Sequence, residues 1–470
     1  MTVTLLVALG TFWGCRAQLD ANDWYVETAT EPLSFSLTQS VGDAGPLLTG
    51  EEASALFFIT GRDTQYVLGP VEIASDDEGR YDALHATTDG REASVLLERG
   101  RAGTMELRFT VAPDSGIDRK GITIASEEGE AYYGLMERVV DGHQDRSWEP
   151  GIEEALDLRG QQLTMYVKPT LSIYEPFYLT SQGYGVFVEG TWPGSYDMAA
   201  SNPDRITLSF EGPELTVRFI QGPEPAQVVE RFHEVIGRPF LPPRWAFSVY
   251  HWRDDHSHRD TLYDGTGHTG PYNSMLTEDM LMLEALDIPF GVYWVDRPWA
   301  TGPYGYDDFE WDPERFPRAE EMLDWIHRKD KRFLLWIAPW VMGDMLTEAE
   351  KRGFLIPGSR YRNENNPDDV RQLLDFSNPD AVEWWGDYLG SVIDDGVDAF
   401  KLDRSEELMP DSRDVELYNG NSAREEHNNY PLLYIRETFL QAEEHRGDRN
   451  FLLMPRAAYT GSQRYGAFWG

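Results

Sequence analysis

The sequence predicts two successive folds, an N-terminal antiparallel β-sandwich and a (β/α)8 barrel, of which about six of the eight strands fall within the chain. Two observations carry this prediction. Residues 19–240 contain short β-branched and aromatic runs between Gly, Asp and Pro turns, whereas residues 241–470 alternate apolar strands with helices. The 470 residues are 41% hydrophobic and 13% aromatic, which is enough for buried cores and excludes a disordered or fibrous protein.

Residues 19 to about 222 have the pattern of strands with one buried face. Apolar and polar side chains alternate most clearly over residues 104–111 and 214–219. Such spacing is typical of an antiparallel sandwich. Residues 223–235 are then predicted as a connecting helix, which is broken at Gly237.

After Pro243 the pattern changes to alternating strands and helices. Strands are predicted at residues 246–251, 290–296, 333–338, 398–403, 451–455 and 467–469. Helices are predicted at residues 277–286, 317–328, 379–393 and 434–444, with Thr277 and Asn378 as N-caps and an insert near residues 343–376. Several strands end in a polar or charged residue, and the C-terminal ends of the strands build the active site of a (β/α)8 barrel. A doubly wound sheet is the alternative, but the sequence has no Gly-rich first turn to hold a nucleotide.

The charge balance argues against some classes of binding partner. With 81 acidic and 41 basic residues, the net charge of −40 argues against nucleic acid or an anionic membrane surface as a partner. Many carboxylates and few lysines suggest a protein kept soluble in high salt, although an ordinary acidic secreted protein would also fit. A single Cys excludes a disulfide framework and a Cys-based zinc site.

Residues 1–18 are interpreted as an export or lipoprotein-type signal. A short apolar run leads into Gly14 and Cys15, and this order resembles a bacterial lipoprotein signal in which Cys15 would carry the lipid anchor. A plain export signal, or a start assigned to the wrong Met, are the alternatives. We therefore expect an exported protein that is periplasmic, extracellular or lipid-anchored at the cell envelope.

Asp403 is the strongest catalytic candidate. It ends an apolar strand between Lys401 and Arg404, and residues 401 and 403 lie on the same face of a strand. Neighbouring cations favour the ionised carboxylate that a nucleophile requires. A structural ion pair at the rim of the barrel is the alternative.

An ordered set of motifs extends the argument beyond Asp403. The motifs lie at residues 133–138, 176–178, 183–185, 242–245, 296, 309–317, 336–339, 401–403, 456, 461–465 and 468–470. This succession resembles glycoside hydrolase family 31, which contains retaining α-glucosidases, α-xylosidases and sulfoquinovosidases, and the resemblance covers about residues 130–470. It implies a galactose mutarotase-like N-terminal β-sandwich joined to a catalytic barrel, and a substrate that is an oligosaccharide or small α-glycoside.

The resemblance also implies roles for individual residues. Asp403 corresponds to the catalytic nucleophile. The expected substrate-binding residues are the carboxylate of Asp296, the aromatic wall of Trp336, Lys401, Arg456 and Trp469. Met136 and the pair Arg404-Ser405 depart from the usual family pattern, so the choice among glucose, xylose, galactose and sulfoquinovose stays open.

The family's general acid/base belongs to a Trp-x-Gly-Asp motif, and the sequence reads Trp469-Gly470 at its end. We therefore expect an incomplete gene product that lacks the second carboxyl group of a retaining glycosidase and is inactive by itself. No cofactor is expected. The alternative from another functional class is a non-catalytic carbohydrate-binding surface protein, and transglycosylation or lyase chemistry on the same fold also stays open.

One further cluster could bind a metal. His251, Asp254, Asp255, His256 and His258 follow the first predicted barrel strand. A wet, substrate-lining loop is the preferred explanation, because the spacing gives no helical i, i+4 His pair. We expect no metal there.

Overall fold

The computed structural model describes residues 24–39, 45–50, 54–77, 79–137, 156–169, 172–222, 224–253, 256–258 and 271–469. The predicted signal at residues 1–18, with Cys15, lies outside these residues, as do Asp254 and Asp255. Within the described part of the chain, none of the helices has the length and apolar character needed to cross a bilayer.

The N-terminal domain is built from antiparallel strands, in agreement with the sequence. Within the described residues these are β1 (Trp24–Thr30), β2 (Leu33–Gln39), β3 (Leu47–Leu48), β4 (Leu56–Thr60), β5 (Asp63–Asp77), β6 (Arg80–Thr87), β7 (Glu92–Arg99), β8 (Met105–Ala112), β9 (Arg119–Ala125), β10 (Tyr132–Met136), β11 (Gln161–Met165), β12 (Tyr174–Thr180), β13 (Tyr184–Glu189), β14 (Gly194–Met198), β15 (Arg205–Phe210) and β16 (Glu214–Gln221). They follow the order β1-β2-β3-β9-β4-β5-β6-β7-β8-β16-β13-β12-β10, and β15, β14 and β11 branch from β9.

Strand β5 joins the two layers of this domain. Its first residues pair with β4, and its later residues pair with β6. Alternate side chains of β6 and β7, such as Tyr81 and Val95, are buried in a core shared with residues such as Leu56 of β4. Since one face of each layer is apolar, the two faces pack together as a sandwich.

Helix α1 (Pro225–Ile236) connects this domain to the next one. It buries Val228, Phe232 and Val235 against the sheet, and the rings of Phe232 and Phe177 stack at 4.0 Å. The helix ends at Gly237, whose φ of 95° favours a residue without a Cβ atom.

The second domain contains two sheets and six helices among its described residues. The strands are β17 (Tyr250–Arg253), β18 (Val292–Val295), β19 (Arg332–Ile337), β20 (Trp340–Val341), β21 (Tyr361–Asn363), β22 (Asn366–Leu373), β23 (Ala399–Leu402) and β24 (Leu452–Pro455). The helices are α2 (Ser274–Ala285), α3 (Ala319–Arg328), α4 (Gly343–Arg352), α5 (Pro379–Asp395), α6 (Ala423–Glu426) and α7 (Tyr430–Arg446). A parallel sheet has the order β17-β18-β19-β23-β24, and a small antiparallel sheet, β20-β22-β21, falls partly within the predicted insert.

Three local predictions for this domain were wrong. The first strand begins at Tyr250 and not at residue 246, because a 3-10 turn (Arg244–Phe247) follows the two prolines at 242 and 243. Asn273, not Thr277, caps α2, and its side-chain oxygen accepts a hydrogen bond from the backbone N–H of Leu276. Residues 467–469 do not form a regular strand, although their backbone donates two hydrogen bonds to the carbonyls of Leu453 and Pro455 in β24. The predicted Asn378 cap of α5 is confirmed by a hydrogen bond from the N–H of Asp380.

Candidate active site

One face of the parallel sheet changes from apolar to polar side chains along its strands. A buried layer comes first, formed by Val292, Leu334, Ala399 and Leu452. Because side chains on one face of a strand recur every second residue, the same face carries a different set at the C-terminal ends. These are Asp296, Trp336, Lys401, Asp403 and Arg456. The structure therefore brings the predicted site residues to one end of the sheet.

The Asp403 carboxylate is buried, and its two oxygens differ. Oδ2 accepts a hydrogen bond of 2.8 Å from the indole Nε1 of Trp336, and Lys401 Nζ lies 3.9 Å away. Oδ1 lies 3.0 Å from Nη1 of Arg456 but accepts no hydrogen bond from the described residues. One oxygen is thus held by a hydrogen bond, and the other faces a guanidinium cation.

Lys401 links the two predicted carboxylates. Its Nζ donates a hydrogen bond of 3.0 Å to Oδ2 of Asp296. The ammonium also lies between two indole rings, 4.5 Å from the centroid of Trp294 and 4.3 Å from that of Trp469. Burial raises the pKa of Asp296, and the positive charge of Lys401 opposes that rise. The lysine therefore acts as the shared counter-ion of Asp296 and Asp403.

Arg456 makes a second bridge, which the sequence did not predict. Its Nη2 contacts Oε1 of the buried Glu406, and the same nitrogen lies 3.4 Å from Oε1 of Glu407. Burial raises the pKa of Glu406, and Arg456 opposes the rise. The chain turns back toward Arg456 after Asp403 because Arg404 adopts a left-handed conformation with φ of 64°. No local pattern in the sequence signals that turn.

Trp336 forms a firmly supported wall. Its side chain is buried, and its ring packs edge-on against Tyr306 at 4.9 Å and in a tilted arrangement against Trp340 at 5.7 Å. The Trp299 indole donates a hydrogen bond of 2.8 Å to the backbone carbonyl of Trp336. A fixed aromatic face beside a carboxylate is suited to the C–H face and hydroxyl groups of a sugar.

Two supporting residues were missed by the sequence analysis. Trp294 precedes Asp296 by two residues, so the alternation of side chains would have placed it beside the site. Tyr306 donates a hydrogen bond of 2.9 Å to the carbonyl of Ala338 and accepts one of 3.0 Å from its N–H. It comes from a loop, where sequence periodicity carries no information.

The histidine cluster does not converge in the described residues. His256 is buried among the rings of Tyr293 and Phe316, whereas Nε2 of His251 lies 3.2 Å from Oδ2 of Asp279. Within the described ranges, no group of three His, Cys, Asp or Glu side chains is arranged to hold a metal ion.

Comparison with known sequences identifies the second domain. The model of the TIM-barrel domain of glycosyl hydrolases family 31 matches residues 239–470. The α-xylosidase XylQ of Lactiplantibacillus pentosus is 31% identical over 291 residues, covering 60% of this chain and 36% of that protein. An α-xylosidase of Emericella nidulans is 28% identical over 367 residues, covering 75% of this chain and 43% of that protein. The chain therefore spans about two fifths of the length of these relatives.

Solved structures show the same architecture. A family 31 sulfoquinovosidase from E. rectale, in complex with an aza-sugar inhibitor, superposes with a TM-score of 0.72 at 16% identity, covering 95% of this chain and 68% of that one. A family 31 dextranase from Flavobacterium johnsoniae superposes with a TM-score of 0.65 at 16% identity, covering 95% and 55% of the two chains. The match of the barrel model over residues 239–470, together with the two α-xylosidases, shows that the chain belongs to glycoside hydrolase family 31.

Proposed function

We propose that the chain carries the nucleophile and sugar-binding subsite of a retaining glycosidase that acts on α-linked glycosides. The observation that carries this proposal is the asymmetry of Asp403. Oδ2 accepts a hydrogen bond from Trp336, while Oδ1 lies 3.0 Å from Nη1 of Arg456 without accepting a hydrogen bond from the described residues. The names of two curated relatives, both α-xylosidases, support the substrate class.

The proposed reaction has two steps. Oδ1 of Asp403 attacks the anomeric carbon, the bond from that carbon to the glycosidic oxygen breaks, and a general acid protonates the leaving oxygen. Water, deprotonated by the same group, then attacks the anomeric carbon and releases Asp403 as a carboxylate. Two inversions retain the configuration. Asp296, Lys401 and Arg456 would bind sugar hydroxyls, and Trp336 and Trp469 would bound the ring.

The general acid/base is assigned to neither of the neighbouring buried carboxylates. A retaining enzyme needs its second carboxyl group about 5–5.5 Å from the nucleophile and able to exchange a proton. Asp296 and Glu406 each share a cation with Asp403, namely Lys401 and Arg456. Each of these two carboxylates is therefore placed to hold its own cation and a substrate. We therefore propose that neither of them protonates the leaving oxygen.

Glycosyl fluorides test the proposal, because fluoride leaves without protonation. Purified chain is incubated with α-xylosyl fluoride or α-glucosyl fluoride, and fluoride release is measured for the wild type, Asp403→Asn and the exposed control Asp324→Asn. We expect release by the wild type and the control, and a loss of at least about 1,000-fold in Asp403→Asn. Equal release by Asp403→Asn would overturn the role of Asp403. Sugar binding without release by any variant would favour the non-catalytic carbohydrate-binding protein.

A further inference from the structure

One layer of the N-terminal sandwich has an outer face that mixes aromatic and polar side chains. Strands β5, β4, β9, β15 and β14 pair side by side in this order. In each strand some residues are buried in the sandwich core. Because side chains alternate between the two faces of a strand, the neighbours of those residues point away from the core. On the outer face these are Tyr66, Phe57, Thr123, Thr207 and Asp197.

The side chains of this face lie next to one another across the strands. Asp197 of β14 is opposite Thr207 of β15, and Thr207 is opposite Thr123 of β9. Phe57 of β4 is opposite Tyr66 of β5, and directly opposite side chains on one face are close neighbours. Together they line a cavity of about 330 Å³, and every described residue that lines it belongs to the N-terminal domain. This volume is at the small end of the range for ligand sites.

Phe57 gives the cavity an apolar floor. Its ring lies against β9 at Gly121, where a Cβ atom would come within 2.3 Å of the ring. A residue larger than glycine at this position would therefore displace the ring. The half-buried Tyr66 stands beside Phe57, so two aromatic rings border the cavity. Such rings are suited to the C–H groups of a ligand.

Hydroxyl groups surround this floor. They belong to Thr64, Tyr66, Thr123 and Thr207, and within the part of the chain that the structure describes none of the four makes a hydrogen bond to the protein. Thr123 is buried, so its hydroxyl gains most from a partner in the cavity. Because a hydroxyl group can both donate and accept, each of the four can pair with a hydroxyl group of a ligand.

The charges that line the cavity balance. Among the described lining residues, Asp197 is the one carboxylate and Arg205 the one guanidinium. Burial alone would raise the pKa of Asp197, but hydrogen bonds from Ser201, Gln162 and Ala200 lower it overall, so the carboxylate stays ionised. The guanidinium is always charged. A lining without net charge favours a neutral ligand.

We infer that this cavity is a non-catalytic binding site for a neutral sugar unit of a glycan, in addition to the site at Asp403. A sugar ring presents C–H patches and hydroxyl groups together, and the cavity offers aromatic rings and hydroxyl groups to match them. The balanced charge fits a sugar without an ionised substituent. The inference goes beyond the proposed function and does not depend on the role of Asp403.

Calorimetric titration of the 470-residue chain with methyl α-xyloside, methyl α-glucoside and maltotriose tests this inference. Asp296→Ala serves as the background, because it removes a carboxylate of the barrel site and weakens binding there. In this background, Thr207→Val removes one hydroxyl group at constant shape, and Tyr66→Ala removes one aromatic ring. The matched controls are Thr216→Val, in β16 of the other layer, and Tyr25→Ala, at an exposed position in β1. Thermal melting checks that each variant is folded.

We expect the Asp296→Ala chain to bind at least one of the three probes. Tyr66→Ala should weaken that binding by about 10-fold or more, and Thr207→Val by about 3- to 10-fold, because each removes a contact with the sugar. Both controls should bind like the background.

The inference would be overturned by three results: no binding of any probe to Asp296→Ala, binding that either cavity variant leaves unchanged, or equal losses in the controls. Fluoride release by the chain with an intact barrel site tests the proposed function separately. It should be the same with and without Tyr66→Ala or Thr207→Val, so failure of the cavity site leaves the role of Asp403 intact.

Discussion

The indole nitrogen of Trp336 donates a hydrogen bond of 2.8 Å to Oδ2 of Asp403, and both side chains are buried. This bond couples the aromatic wall of the site to the carboxylate that we propose as the nucleophile. Burial makes the bond important, because an ionised carboxylate oxygen without a donor is costly in a desolvated site.

The bond can be removed with little change of shape. We expect Trp336→Phe to lower fluoride release from a glycosyl fluoride by about 10- to 100-fold, because Oδ2 loses its donor and the carboxylate loses its orientation. Trp340→Phe is the matched control, since the Trp340 indole nitrogen is buried without a hydrogen-bond partner in the described structure. Comparable losses in both variants would mean that packing, and not the hydrogen bond, supports the activity.

Lys401 should be necessary for the stability of the site. Lys401→Met removes the shared counter-ion of two buried carboxylates. We therefore expect the free energy of unfolding to fall by about 3 kcal/mol at neutral pH. Lys329→Met, which removes a more exposed ion pair with Glu284, should cost less than about 1 kcal/mol. Chemical denaturation of both variants measures the two free energies of unfolding.

The loss in Lys401→Met should also depend on pH. Burial already raises the pKa of Asp296, and removing the lysine takes away the charge that opposes this rise. A carboxyl group with a raised pKa in the folded state stabilises the fold while it is protonated and loses that contribution as the pH rises. The variant should therefore approach wild-type stability on acidification. A difference that grows on acidification would contradict this explanation.

Glu175 lies at a contact between the two domains, and it should make the stability of the protein depend on pH. It lies in β12 and accepts a hydrogen bond of 2.5 Å from Thr460, and burial raises its pKa from 4.5 to about 8. Its contribution to stability is thus complete below about pH 4.5 and is lost as the pH rises through about 8. We expect Glu175→Gln to raise the melting temperature at pH 8 more than at pH 5. Glu230→Gln, at an exposed position, should leave the melting temperature unchanged at both pH values.

The acidic composition predicts stabilisation by salt. Repulsion among unpaired surface carboxylates is screened as the Debye length falls from about 10 Å at 0.1 M salt to about 3 Å at 1 M. The melting temperature should therefore rise most steeply below about 1 M NaCl. An ordinary acidic protein, the alternative interpretation, would show little change in this range, and a steady fall with added salt would rule out the salt-adapted interpretation.

Strand periodicity predicted much of the site. The remaining residues lie in loops, where no periodic pattern indicates their positions. The alternation that places Lys401 beside Asp403 depends only on sequence spacing, and it would have found Trp294 beside Asp296 by the same reasoning. Glu406 reaches Arg456 through a left-handed residue at Arg404, which no local pattern encodes.

The central claim is that Asp403 forms a covalent bond to the anomeric carbon. The most direct measurement is mass spectrometry of the chain after reaction with a ring-fluorinated α-glycosyl fluoride, which slows the release of the intermediate, followed by peptide mapping. We expect one added glycosyl unit, located on Asp403 and absent in Asp403→Asn, while Asp324→Asn is labelled like the wild type. A label on Asp296 or Glu406, or unimpaired labelling of Asp403→Asn, would contradict the account.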